Sequence, residues 1–168
     1  MKVLLIVRHA KSSWKDPHLA DHQRPLNERG QKAALEMGKR LKKRGVRPDV
    51  IVSSDARRAM DTAVSIAKIL KVSPKAIRQT PELYHGTPDR IIAVTHQFDD
   101  QWKRVMVVGH NPALTEMANR FVPCPIANIP TAGVVELRFN TPSWRNIDRD
   151  NLAFSSFDFP KNKPADRL

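Results

Sequence analysis

From Lys2 the chain runs into Val3-Leu4-Leu5-Ile6-Val7, apolar without alternation, which predicts a parallel β-strand covered on both faces and central in its sheet. The period then changes. In NERGQKAALEMGKRLKKRG, beginning at Asn27, the positions Ala34, Met37, Gly38 and Leu41 fall at i, i+3, i+4 and i+7, which predicts an amphipathic helix. Asn27 is its expected N-cap and Gly45 its stop. Asp49 to Ser53, DVIVS, repeats the short β-branched run. Asp55 is then expected to cap a second helix with Ala59, Ala63, Ile66, Ala67 and Leu70 on its apolar face.

Downstream, Thr87-Pro88-Asp89 supplies a cap, a proline at the first helical position and an acid in the first turn, before Ile91, Ile92, Thr95 and Phe98. Arg104 to Val108 reads as another buried strand, and Asn111-Pro112 starts a short helix through Leu114, Met117, Ala118 and Phe121. Then the alternation breaks. Val134 to Phe139 and Leu152 to Phe159 read as strands joined by a polar connection, so the sheet is expected to end in antiparallel edge strands. The pattern predicts an α/β fold: a three-layer α/β/α sandwich with a mostly parallel sheet and an antiparallel edge. One domain over 1–159 is expected, with 160–168 as a disordered C-terminal tail.

Composition narrows the class. The chain has 168 residues, 40% hydrophobic and 27% charged, which fits one domain of ordinary size. Its longest apolar run is far short of the ~20 residues of a membrane-spanning helix. No membrane partner is expected. The N-terminus enters its first strand without a small-residue cleavage site, so a cytoplasmic location is expected. Cys124, the single cysteine, lies between two prolines with no activating neighbour and reads as structural. Lys and Arg number 29 against 17 Asp and Glu, a net +12 that attracts phosphate-bearing or acidic partners. Much of the excess sits in residues 38–47, GKRLKKRGVR. No aromatic residue is interleaved there to stack bases, so a solvated helix end that complements the macrodipole is preferred over nucleic-acid binding.

In open α/β sheets ligands bind beyond the carboxyl ends of the strands. There the chain places Arg8-His9, Gly109-His110, and the pair Arg57-Arg58 in the first turn of a helix. A cation at a helix N-terminus faces the positive pole, which costs up to ~1 kcal/mol unless an anion intervenes. An isolated arginine there most often serves a surface ion pair; beside two strand-end histidines it points to phosphate. Neutral imidazole is a nucleophile at pH 7, and arginine forks can neutralise a transferring phosphoryl group without a metal. The chain lacks G-x-x-x-x-G-K-[ST] and G-x-G-x-x-G, so nucleotide cradling by those loops is unsupported. His18 and His22 are four apart, but Leu19 stands where a zincin needs Glu, so no metal site is read there.

Four blocks, LLIVRHAKSSW at Leu4, RPLNERG at Arg24, SSDARRAMDTA at Ser53 and VVGHNP at Val107, together resemble the histidine phosphatase superfamily, most closely its small SixA-type phosphohistidine phosphatases. They span about two thirds of the chain. The resemblance implies a phosphoglycerate mutase-like fold, no metal or organic cofactor, and His9 as the nucleophile of a phosphohistidine intermediate. It implies Arg8, Arg58 and His110 as phosphate ligands, with Arg58 rather than Arg57 matching the block R-A-x-x-T-A. Arg24 enters as a phosphate ligand from the resemblance alone.

Two positions depart from the family pattern. Ala10 replaces the usual glycine of R-H-G, and His85 occupies the slot where many members carry a glutamate general acid. Glu82 or His85 remain as possible proton donors. Without a placed acid, a poor alkoxide leaving group is disfavoured and a phosphoramidate is favoured. The preferred expectation is therefore a metal-independent phosphatase removing phosphate from phosphohistidine on a bacterial signalling or phosphotransfer protein. The alternatives are a phosphatase for a small phosphorylated metabolite, a mutase that returns the phosphoryl group to an acceptor, and a non-catalytic module that binds anions or an acidic protein surface.

Overall fold

The computed structural model describes residues 1–163. Its elements in chain order are β1 (Lys2–Arg8), α1 (Glu28–Lys43), β2 (Val50–Ser54), α2 (Arg57–Leu70), β3 (Ile77–Thr80), α3 (Glu82–His85), α4 (Pro88–His96), β4 (Arg104–Gly109), α5 (Ala113–Phe121), β5 (Val134–Phe139) and β6 (Leu152–Asp158). The six strands form one sheet in the order β3-β2-β4-β1-β5-β6. Neighbours from β3 to β1 are parallel, whereas β5 runs antiparallel to both β1 and β6. This is the mixed α/β architecture expected, antiparallel edge included.

Successive residues of a strand point to opposite faces, and the non-alternating runs feed two cores. Leu4 and Ile6 pack with Leu83 and Ile91 of α3 and α4 and with Leu114, Met117 and Phe121 of α5. Leu5 and Val7 pack instead with Ala34, Met37 and Leu41 of α1 and Ala59, Ala63 and Ile66 of α2. The helical stripes predicted for α1 and α2 are the buried ones. Asn27 caps α1, its side chain accepting the Gly30 amide at 2.7 Å, and Gly45 follows the helix at φ +73°, a conformation that suits glycine. Thr87 caps α4.

Several expectations fail locally. Asp55 does not cap α2: the preceding position is Ala56, with no side-chain cap, and Asp55 lies instead 3.0 Å from His22 Nε2. Strand β3 and the single-turn α3 were not anticipated, because an edge strand reading Ile-Arg-Gln-Thr carries half-exposed polar residues and no apolar run. Cys124, read as structural, is exposed. The basic segment 38–47 is only partly a solvated face. Arg40 pairs with Asp158 and Arg44 with the buried Glu136. Arg40 also donates to the carbonyls of Phe159, Pro160 and Asn162. Residues 160–162 of the expected loose tail are thus fastened to α1, and 164–168 lie outside the described residues. No helix among the described residues is long and apolar enough to cross a membrane.

Candidate active site

Strands β1 and β4 pair in register, Arg8 opposite Gly109. The next residue on each strand is a histidine. The His9 amide donates to the Gly109 carbonyl at 3.0 Å, and the rings of His9 and His110 lie 5.0 Å apart. Residues about a hundred positions apart in sequence therefore share one pocket at the carboxyl edge of the sheet.

Each ring is oriented by a specific partner. His9 Nδ1 is 2.7 Å from the Ala10 carbonyl, which can only accept, so Nδ1 carries the proton and the lone pair is assigned to Nε2. Burial, aided by the nearby Arg58 and Arg8 charges, pushes the His9 pKa down to about 4 against the pull of that carbonyl. The ring is neutral at pH 7. Burial likewise pushes His110 down to about 3, with His9 and Arg58 adding to the shift. His110 Nε2 lies 2.8 Å from Ser54 Oγ, which also accepts the Ala56 amide at 3.1 Å. With that hydroxyl donating to Nε2, the proton of His110 sits on Nδ1, which is buried without a partner among the described residues.

The arginines converge on one carboxylate. Arg24 donates to Asp21 Oδ1 at 2.6 Å, and Arg58 donates to Asp21 Oδ2 at 2.9 Å and to its backbone carbonyl at 2.7 Å. Tyr84 donates its hydroxyl to the same Oδ2 at 2.6 Å. The hydroxyl bond and both guanidinium groups hold the Asp21 carboxyl far below the usual carboxylate range, and the same hydroxyl bond, with burial and the Asp21 charge, raises the Tyr84 pKa against the pull of Arg58. Arg24 and Arg58 are both buried, unusual for arginine without a committed partner. The Arg24 guanidinium stacks 3.3 Å over the exposed ring of Trp14. Arg8 donates to the Ile129 carbonyl at 2.9 Å. Arg8 Nε, Arg24 Nε and Nη1, and His110 Nδ1 remain buried with no partner among the described residues. Arg57 is exposed and faces Asp61.

The model of the Histidine phosphatase superfamily (branch 1) matches residues 4–87. The chain belongs to this superfamily. An uncharacterised chloroplast protein of Arabidopsis thaliana is 30% identical over 124 residues, 69% of this chain, and the match spans 57% of that relative's length. The fold is similar to that of a candidate phosphohistidine phosphatase, SixA, of Agrobacterium tumefaciens, at TM-score 0.74 and 26% identity over 81% of this chain and 90% of that one. It also matches the fold of the protein histidine phosphatase SixA solved with tungstate, at TM-score 0.76 and 20% identity over 95% of this chain and 98% of that one.

In this histidine phosphatase the structure brings together His9, His110, Arg8, Arg58 and Arg24. Of the two possible proton donors, His85 packs its ring on that of Tyr84 with centroids 4.1 Å apart. The Glu82 carboxylate lies 3.5 Å from Arg90, and both residues line a separate cavity with Gly86, Thr87 and Arg90. Tyr84, between them, is the residue of α3 that turns toward the two histidines, its ring 5.3 Å from that of His110. Asp21, Tyr84, Ser54 and Thr62 escaped sequence reasoning. Asp21 had one available signal, its place three residues before Arg24. Ala10, the departure from R-H-G, is fully buried, and its amide donates to Thr62 Oγ1.

Proposed function

We propose that this chain hydrolyses phosphohistidine on a protein through a phosphohistidine intermediate on His9. The observation that carries the reading is a neutral, oriented imidazole facing a set of buried donors, on Arg8, Arg24 and His110, that lack acceptors. A phosphoryl group is an acceptor-only anion of matching chemistry. In this reaction His9 Nε2 attacks phosphorus, the P–N bond to the substrate imidazole breaks, and Arg8, Arg24, Arg58 and His110 hold the phosphoryl oxygens in flight. Water then cleaves the new P–N bond and releases orthophosphate and neutral His9. Three of these residues have donors free of any acceptor among the described residues, and Arg58 shares its fork with Asp21.

The substrate class follows from what α3 presents. Tyr84, with its raised pKa, is a poor acid, and the Glu82 carboxylate is paired with Arg90 at 3.5 Å. An alkoxide would depart without a proton, whereas a substrate imidazole can take its proton from water before leaving. A phosphoramidate is therefore the better substrate than a phosphomonoester.

The test is phosphate release from a phosphohistidine-bearing protein and from p-nitrophenyl phosphate, with chelator present, for wild type and His9→Ala. Chelator-resistant release that disappears in the variant and favours phosphohistidine supports the reading. Release that persists in His9→Ala sinks the nucleophile assignment, and equal rates on both substrates sink the substrate class.

A further inference from the structure

Next to the phosphate site runs a groove of about 510 Å³ whose walls include Lys11, Arg29, Pro130, Phe159, Lys161 and Lys163. Four of these side chains are cations, and among the described residues no carboxylate lines the groove. None of the four has an ion pair or a side-chain hydrogen bond among the described residues. Several arginines elsewhere have an acid beside them: Arg40 meets Asp158, Arg44 meets Glu136, Arg120 meets Asp89. Four uncompensated cations around one concavity repel one another, and an anionic occupant removes that cost.

The groove is built into the site rather than merely near it. Lys11 stands two residues past His9. Pro130 follows Ile129, whose carbonyl accepts Arg8, and the Ala132 amide donates to the carbonyls of both Arg8 and His9 at 3.1 Å. The far wall is fixed by Arg40, which donates to Phe159 and Pro160 carbonyls at 3.0 and 2.8 Å. A polymer seated there lies against the two segments, 8–11 and 129–132, that carry and brace Arg8 and His9.

We propose that the groove docks an acidic stretch of the phosphoprotein substrate, alongside its phosphorylated residue. This rests on the phosphatase reading above and adds where and how the protein partner is held. The floor, made of Pro130, Phe159 and Ala33, suits peptide side chains. Nucleic acid would need free aromatic faces, and the one ring present, Phe159, already packs on Phe157 with centroids 5.2 Å apart.

The test compares wild type with the triple variant R29Q/K161Q/K163Q, which leaves Lys11 and the His9 surroundings intact. Fluorescence anisotropy follows a labelled Asp- and Glu-rich peptide and its Asn- and Gln-rich counterpart at low and physiological salt. In parallel, kcat/KM is measured on phosphohistidine carried by an acidic protein and on free phosphohistidine. The acidic peptide alone should bind, more weakly as salt rises, and the variant should lose about tenfold in its affinity. The variant's kcat/KM should fall to a similar extent on the carrier protein, through KM, and hold on free phosphohistidine. Equal binding of the two peptides, unchanged affinity in the variant, or an equal fall on both substrates overturns the proposal. So does displacement of the peptide by a single-stranded oligonucleotide at lower concentration than by unlabelled peptide, which makes nucleic acid the occupant. If the wild type turns over neither substrate, the phosphatase reading falls while peptide binding still decides the groove.

Discussion

Thr62 holds Ala10 in place: its Oγ1 accepts the Ala10 amide at 2.9 Å and donates to the Arg58 carbonyl at 2.7 Å. One buried hydroxyl thus ties the peptide after His9 to the helical turn that carries Arg58. Thr62→Val keeps the volume and removes the acceptor. Leaving the buried Ala10 amide unpaired should cost about 1–3 kcal/mol, read from the denaturant midpoint at constant m-value. Turnover of p-nitrophenyl phosphate should fall at the same time, because Ala10 also supplies the carbonyl that orients His9. A variant of lowered stability and full turnover would show that the two elements are not coupled.

Asp21 occupies the arginine forks with a carboxylate that is itself 51% exposed. An incoming phosphoryl group competes with it for Arg24 and Arg58. Asp21→Asn retains shape and removes the charge, and inorganic phosphate should then inhibit about three- to tenfold more tightly. Weaker phosphate inhibition would assign Asp21 the opposite duty, of holding the forks ready.

Gly30 packs against the backbone that follows the nucleophile. A Cβ there would lie 2.1 Å from the Lys11 carbonyl, so Gly30→Ala must shift that loop. A displacement near 1 Å at the reacting group is worth on the order of a hundredfold in rate. The variant should retain its circular dichroism spectrum and lose at least about tenfold in kcat.

The two buried rings make stability sensitive to acid. His9 and His110 stay unprotonated in the fold down to about 4 and about 3, while the unfolded chain takes up these protons below about 6.5. In that window the unfolded state binds more protons, so stability is full above about pH 6.5 and is lost as pH falls towards 4. Urea midpoints at pH 7 and pH 4.5 should show the loss, and His9→Gln should reduce it. For turnover of p-nitrophenyl phosphate, the limb due to His9 should lie near pH 4 rather than near 6.5.

Trp144 is fully buried, donates its indole N–H to the Trp102 carbonyl at 2.7 Å, and packs edge-on against Phe98. Trp144→Ala should destabilise the protein by about 3–5 kcal/mol, with kcat unchanged at temperatures where the variant remains folded. Calorimetry and turnover on the same sample separate the two effects.

What the residues disclosed follows from what each signal measures. Non-alternating runs such as Val3 to Val7 and the stripe Ala34, Met37, Leu41 report burial, and they placed five of the six strands and the long helices. Strand β3 stayed hidden because its residues are half exposed and its pairing is set by β2, not by its own pattern. At the site, His9, His110 and Arg58 were legible from strand ends, where position alone implies convergence. Asp21 and Tyr84 were not, since their contact joins a short turn after β1 to α3 across 63 positions. Glu82 and His85 share a single-turn helix with Tyr84, where adjacent residues face different ways, and spacing from Leu83 does not tell which of them turns to the site.

Because β4 slides between β1 and β2, the two strands encoded first are never neighbours of each other. The strand between them, β4, pairs with β2 along one edge and with β1 along the other, and its carboxyl end delivers His110 beside His9. One strand thus both closes the sheet and brings the second imidazole to the first, so a substitution that displaced β4 would open the central layer and part the two rings together.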